Sequence, residues 1–284
     1  MYVNPLKLFL WTFRRSPSDV IDLYNTLSPV MQLATGGSML NFGYCNGSDH
    51  PLSAQRKLCE LVGDTGELCS AKKLVDLGSG LGAPAKYWTS KYSDLDVTCI
   101  NINRQQLADS LKSDAGDYTG SLFCINATSV TLPLPDKSAD RVIALESAQH
   151  FRPLSEFIRE CRRVLAPGGI FVIAIPVTVR PLQGIRKLFR LGILSFTWSS
   201  EHYPAEHVSS ALTSNGFKIE GVQRIGHQVY EPLTRYYVQN RRSIKPRILE
   251  HYPSFLESIL HRSLLKMRQT SEAGLIDYLI IKAS

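Results

Sequence analysis

From residue 72 to 176 short apolar runs alternate with stretches whose apolar residues recur at helical spacing. The runs read as strands near 73–77, 96–101, 121–125, 140–145 and 169–175, and the periodic stretches as helices near 83–92, 103–113 and 154–165. Strands alternating with amphipathic helices mark βαβ units and a parallel sheet, so the expected fold class is α/β. Arg162 and Arg163 fall in the last turn of the third helix, and Pro167-Gly168-Gly169 follows as a stop before the next strand. Pro176 is expected to end that strand's ladder, since proline has no N–H to donate. A linker with a helical segment follows to Ser200, then a helix from Pro204 to Ser214, a turn at Asn215-Gly216 and a strand from Phe217 to Val222. The run Tyr278-Leu279-Ile280-Ile281 reads as the last strand. The intervening segment, about fifty residues, is too long for an idle loop, so residues 228–270 are expected to form a helical insertion or lid. Near the start, Leu6, Phe9, Leu10 and Phe13 fall on one helical face ahead of Arg14 and Arg15, a pattern that suits an amphipathic helix capping a site or touching a membrane surface.

Composition changes this picture little. The 284 residues, 44% hydrophobic and 20% charged, suit a soluble chain folded as one large domain. That domain divides into an N-terminal helical cap over 1–70, a core over 71–176 and substrate-side segments over 177–284. No run approaches the roughly 20 apolar residues that span a bilayer. The six cysteines lack C-x-x-C pairing and read as reduced structural thiols, which implies a cytoplasmic location, at most peripheral to a membrane, and no metal site. Charge is uneven. Residues 1–179 carry 17 Lys and Arg against 17 Asp and Glu, which leaves 15 against 8 for residues 180–284 out of totals of 32 and 25. The excess favours an anionic partner such as a phosphorylated substrate, a lipid surface or nucleic acid, set against a merely solvated basic face.

The chemistry is concentrated where the first strand ends. Leu74-Val75-Asp76-Leu77 runs directly into Gly78-Ser79-Gly80-Leu81-Gly82, and glycines at such a turn permit positive φ and let backbone approach a ligand. The spacing is G-x-G-x-G, not the G-x-G-x-x-G of dinucleotide sites.

At these residues the chain resembles the class I S-adenosylmethionine-dependent methyltransferases. The resemblance continues through Val97 to Ile102, Asn126-Ala127, Asp140-Arg141-Val142-Ile143 and Arg163 to Gly169, and covers roughly residues 38–176 in order. It implies a Rossmann-like, mostly parallel seven-stranded sheet with helices on both faces, N-terminal helices and a helical insertion before the last strand. Leu40-Asn41-Phe42-Gly43-Tyr44 is similar to the N-terminal motif of the small-molecule branch, which includes glycosyl O-methyltransferases and tocopherol, sterol and isoprenoid methyltransferases, many of secondary metabolism.

What the resemblance implies can be placed residue by residue. S-adenosyl-L-methionine would lie against Gly78, Ser79, Gly80 and Gly82, with Asp76 orienting the loop or meeting the ammonium, and Tyr44 near the sulfonium. Asn101, with Ile102 and Gln106, stands where the ribose is usually held by an acid, and Asn126-Ala127 where the adenine amino group is received. Glu146, after the fourth strand, would sit in the cleft, and His150 is the best candidate for a base, with Gln149 where some relatives carry His. The catalytic set is thus His150, Glu146 and Tyr44. The fifth strand ends Ala174-Ile175-Pro176 without an acid to partner a base, which tilts the expected acceptor toward carbon, nitrogen or a pre-ionised group. Glu201-His202-Tyr203 and the run from His227 to Tyr237, with Tyr230, Glu231, Arg235 and Tyr236, lie where substrate segments are expected. Arg241, Arg242, Lys245 and Arg247 could hold a phosphate.

The acceptor is expected to be a hydrophobic small molecule: isoprenoid, lipid, quinone or polyketide-like. A nucleic-acid methyltransferase is an alternative encouraged by the basic charge, but Leu145-Glu146-Ser147-Ala148 is unlike the N-P-P-Y type of base-methylating motif and no nucleic-acid module is legible. A non-catalytic scaffold keeping the fold is the third possibility.

Overall fold

The computed structural model describes residues 16–37, 39–47, 50–112, 121–182, 189–197 and 201–284. The amphipathic run at 6–13 lies outside the described residues.

Seven strands form one sheet in the order β3-β2-β1-β4-β5-β7-β6: β1 (Lys73–Leu77), β2 (Asp96–Asn101), β3 (Leu122–Asn126), β4 (Ala139–Leu145), β5 (Leu165–Thr178), β6 (Ile219–Arg224) and β7 (Ile276–Ala283). β1 to β5 pair in parallel and β7 lies antiparallel between β5 and β6. The middle strands are buried on both faces, which is why they read as continuous Val and Ile runs. Alternate residues feed two cores. Val172, Ala174, Tyr278 and Ile280 point to one, under Leu58 and Trp88, while Phe171, Ile173, Leu279 and Ile281 point to the other, under Phe157 and Leu212.

The helices are α1 (Pro17–Thr35), α2 (Pro51–Thr65), α3 (Ala83–Lys91), α4 (Arg104–Lys112), α5 (Leu154–Val164), α6 (Leu194–Thr197), α7 (Ala205–Ser214), α8 (Gly226–Leu249) and α9 (Ser254–Glu272). α1 starts with a capping box in which Ser16 and Asp19 satisfy each other's backbone N–H groups, ahead of Pro17. The expected insertion at 228–270 is the pair α8 and α9, which turns at 250–253. These two helices join α1 in a third apolar cluster of Val30, Tyr237, Ile244, Ile248, Leu256 and Leu264, apart from the sheet.

Two expectations about β5 change. Pro167-Gly168-Gly169 does not precede the strand but bulges within it, between the pairs Ala139↔Leu165 and Arg141↔Ile170. Pro176 does not end the ladder either: the strand continues to Thr178, and Pro176 stands opposite Tyr278. Ala174 turns its carbonyl toward β4, where it accepts the Glu146 N–H at 2.8 Å. Two residues on, Pro176 presents its missing N–H to that same side, past the last β4 pair at Leu145↔Ala174, so the β5–β7 ladder loses nothing.

Candidate functional site

A cavity of about 550 Å³ opens at the carboxyl ends of β1, β2 and β4 and continues upward between α1, α8 and α9. Its lower wall is the glycine loop. The Gly78 and Ser79 N–H groups donate to the Ile100 carbonyl at 2.7 and 3.3 Å, which fixes the loop to β2. Gly78, Gly80 and Gly82 have φ of 75°, 56° and 69°, so all three occupy the left-handed region that favours glycine.

Their surroundings divide their roles. A Cβ on Gly78 would lie 2.3 Å from Ser147 Cβ, and one on Gly82 2.3 Å from Ser110 Oγ. One on Gly80 would meet only Leu40 Cδ1, at 3.9 Å. Gly78 and Gly82 are therefore required by packing within the protein, and Gly80 alone has room for a ligand to approach its backbone. Gly78, Ser79 and Gly80 line the cavity; Gly82 and Asp76 do not.

Asp76 lies beneath the loop, 2% exposed, and burial followed by the nearby Cys124 pushes its carboxyl up to about 7. Glu146 follows β4 at φ 52° and lines the cavity. Both its oxygens accept the Phe42 N–H, each at 3.0 Å, and Oε1 also accepts the Tyr278 hydroxyl at 3.0 Å. Burial nevertheless pushes it up to about 8. Neither carboxylate has an ion pair among the described residues. Two carboxyls with raised proton affinity, Asp76 buried and Glu146 partly buried, make a site that favours a cation.

The other residues singled out in the sequence separate. Asn101, Ile102 and Gln106 line the cavity. Asn101 Nδ2 donates to the Gly80 carbonyl at 3.2 Å and to Gln106 Oε1 at 2.9 Å, so the two amides brace the glycine loop as well as face the ligand space. Asn126 and Ala127 stand behind this wall. Asn126 Nδ2 donates to the Asn101 and Ile102 carbonyls at 2.8 and 2.9 Å, and the Ala127 N–H donates to the Asn101 carbonyl at 3.3 Å. Tyr44 is half-buried against the sheet core with its N–H on the Ala54 carbonyl; its neighbour Phe42 lines the cavity instead.

His150 lines the cavity, and its Nε2 lies 2.9 Å from the hydroxyl of Tyr24 on α1. Burial, then Glu146, raises Tyr24 far above the ordinary tyrosine range, so it is a neutral phenol at any physiological pH. Gln149 is tied down by its Nε2 bond to the Glu146 carbonyl at 2.6 Å. Sequence reasoning missed Tyr24, although Val20, Tyr24, Leu27 and Met31 recur on one face of α1 and all line the cavity. That periodicity was its available signal.

The substrate-side clusters are redistributed. Tyr236 and Tyr237 line the cavity. Tyr230 is fully buried with its hydroxyl on the Asp277 carbonyl at 3.0 Å, and Glu231 pairs with His227. Glu201, His202 and Tyr203 lie outside the lining; Tyr203 donates to the Phe151 carbonyl at 2.8 Å. None of Arg241, Arg242, Lys245 and Arg247 lines the cavity. Arg241 is spent on buried Glu257 (Nε–Oε1 2.7 Å, Nη2–Oε2 2.9 Å), so the expected phosphate cradle does not face this space.

Residues 75–173 match the family described as "Methyltransferase domain". The chain is 25% identical to erythromycin 3''-O-methyltransferase of Saccharopolyspora erythraea over 99% of its length and 94% of the relative's. It is 30% identical to methyltransferase GfsG of Streptomyces halstedii over 68% of this chain and 71% of that one. The chain belongs to the S-adenosylmethionine-dependent methyltransferases. The fold agrees: the methyltransferase superposes on cyclopropane synthase MmaA2 of Mycobacterium tuberculosis with a TM-score of 0.79 at 16% identity, over 94% and 97% of the two chains. Its cofactor is S-adenosyl-L-methionine. The residues present fit that cofactor. Gly80 is open on its ligand side, Asp76 Oδ2 is buried without a hydrogen-bond partner among the described residues, and a neighbouring positive charge would favour the ionised form of both carboxyls.

Proposed function

We propose that this methyltransferase methylates a hydroxyl group on an uncharged, apolar small molecule, with Tyr24 and His150 removing the proton. The carrying observation is a cavity that joins the glycine loop to an aliphatic and aromatic chamber under α1, α8 and α9, with the Tyr24–His150 pair in its wall. The chamber is lined by Leu27, Val30, Leu233, Phe255, Leu260 and Met267, among others, and among the described residues by no Lys or Arg. Burying an anionic acceptor there would leave its charge uncompensated.

S-adenosyl-L-methionine supplies an electrophilic methyl group on a sulfonium. Gly78, Ser79, Gly80, Asn101 and Gln106 would hold it, Asp76 would support the loop from behind, and Glu146 would answer its positive charge. Tyr44, Gly82, Asn126 and Ala127 would act through the elements they fix.

A hydroxyl is a weak nucleophile until its proton has somewhere to go. With His150 as the Nδ1–H tautomer, Tyr24 O–H donates to Nε2, leaving a phenol lone pair to accept the acceptor's proton. As the new C–O bond forms, that proton passes to Tyr24 and Tyr24's own proton passes to Nε2. Tyr24 ends neutral and His150 ends as imidazolium. This pair supplies the proton path that the acid-free end of β5 does not. Relatives named for oxygen and for carbon methylation are both similar to the chain, which is 35% identical to sterol 24-C-methyltransferase of Gibberella zeae over 52% of its length, so the atom is argued from the pair.

The test is methyl transfer from labelled S-adenosyl-L-methionine to a panel of apolar alcohols and matched alkenes, with binding of the cofactor followed by calorimetry. His150→Ala and Tyr24→Phe should each lower kcat by about 100-fold or more, with cofactor affinity unchanged. Turnover of an alkene but of no alcohol would overturn the hydroxyl reading, and absence of cofactor binding would overturn the site.

A further inference from the structure

The helices that roof the cavity carry a second, outward face that methyl transfer does not use. On α8, Arg235, Val238, Arg242, Lys245 and Leu249 recur at steps of three, four, three and four and so form one narrow stripe. Its aliphatic members are open to solvent, Val238 at 44% and Leu249 at 39% exposure. On α9, exposed Arg262 and Arg268 flank Leu265, itself 43% exposed. Three of the seven large apolar side chains that stand exposed among the described residues therefore lie on this one hairpin.

Most of these cations make no ion pair among the described residues. Arg235, Arg242 and Arg262 make no ion pair among the described residues, whereas Arg241 and Arg268 are held by Glu257 and Glu272. Positive charge from both helices converges on His261, whose imidazole is held below its ordinary value by burial first and by Arg241, Arg262 and Lys245 besides, with Glu257 opposing them. Exposed Glu250, at the foot of the stripe, is the nearest acid in the sequence to Leu249.

We propose that the outer face of the α8–α9 hairpin binds the surface of an anionic lipid bilayer. Long cationic side chains interleaved with aliphatic ones suit a headgroup layer, where the charges meet lipid phosphates and the aliphatic groups reach the acyl boundary. Nucleic acid would call for aromatic platforms between the cations, and the exposed large apolar residues of this face are Val238, Leu249 and Leu265. The inner face of the same two helices lines the apolar chamber through Leu233, Tyr237, Leu256 and Leu264. The hairpin thus places the roof of the acceptor chamber against the phase into which an apolar molecule partitions. The proposal rests on the surface alone and stands whether or not the acceptor atom is oxygen.

The experiment is co-sedimentation of the full chain with vesicles of phosphatidylcholine alone and of phosphatidylcholine with phosphatidylglycerol, with RNA binding and solution mass measured in parallel. Binding is expected only to the anionic vesicles and should be lost in high salt. Each of Arg235→Gln, Arg242→Gln and Lys245→Gln should weaken partitioning about fivefold. Val238→Asn with Leu249→Asn should weaken it with the charge unchanged. Circular dichroism and cofactor binding, which these positions outside the cavity lining should leave intact, report the fold. Absence of binding to anionic vesicles, binding unaffected by these substitutions, tighter binding to RNA, or burial of this face in a stable dimer would each overturn the assignment.

Discussion

Replacing Glu146 by glutamine isolates the electrostatic cost of a carboxyl held in the cavity wall. In the folded chain burial places its proton affinity at about 8, against an ordinary 4.5, despite hydrogen bonds from the Phe42 N–H and the Tyr278 hydroxyl that pull the other way. The folded state therefore holds this proton more tightly than the unfolded state does. The stability it contributes is complete below the unfolded value, falls as pH rises between the two values, and is gone above the folded one. The interval from 4.5 to about 8 corresponds to about 5 kcal/mol at 1.36 kcal/mol per pH unit. Between pH 5.5 and 7.5, inside that window, the loss is about 3 kcal/mol. Asp76 loses stability in the same direction up to about 7, but it is present in both proteins and cancels in their difference. Denaturant unfolding of wild type and Glu146→Gln across this range should give free energies that diverge by that amount, the wild type losing ground as pH rises. Saturating S-adenosyl-L-methionine should flatten the wild-type slope, because a cation beside Glu146 lowers its proton affinity. Parallel pH profiles for the two proteins, or a wild type that gains on the variant as pH rises, would refute the reasoning.

Two other substitutions test the division of labour around the cavity. Gly80→Ala should cost only the left-handed backbone penalty, about 1–2 kcal/mol, while weakening cofactor binding sharply; Gly78→Ala adds the collision with Ser147 and should cost about 1–3 kcal/mol more in thermal unfolding. Equal losses of stability would mean that the glycines are not distinguished by packing. Glu257→Gln removes the partner of Arg241 and loosens the Tyr237 hydroxyl bond of 3.0 Å, so it should cost about 1–3 kcal/mol and raise the acceptor KM with cofactor affinity unchanged. An unchanged KM would show that the buried pair does not position Tyr237.

The core was legible because its signals are local. Strand runs, helix spacing and the turn at Gly78 to Gly82 each depend on neighbours in sequence, and the strands from β1 to β5 lie near where the pattern put them. Pro176 misled because a proline's tolerance depends on which neighbour its missing N–H would face, and β4 ends before reaching it. Tyr24 was missed for the converse reason. Its partner His150 is 126 positions away, and no spacing rule joins them.

The sequence by itself determined the βαβ core, the glycine loop and the presence of a helical lid, since backbone geometry and hydrophobic periodicity act over a few residues. Only the tertiary structure decided which side chains share the cavity. It set Phe42 in the lining and Tyr44 beside it, made Asn126 a brace behind Asn101, and turned the basic residues of α8 away from the acceptor chamber. Those assignments follow from where helices α1, α8 and α9 come to rest on one another, and that is settled by burying their shared apolar cluster.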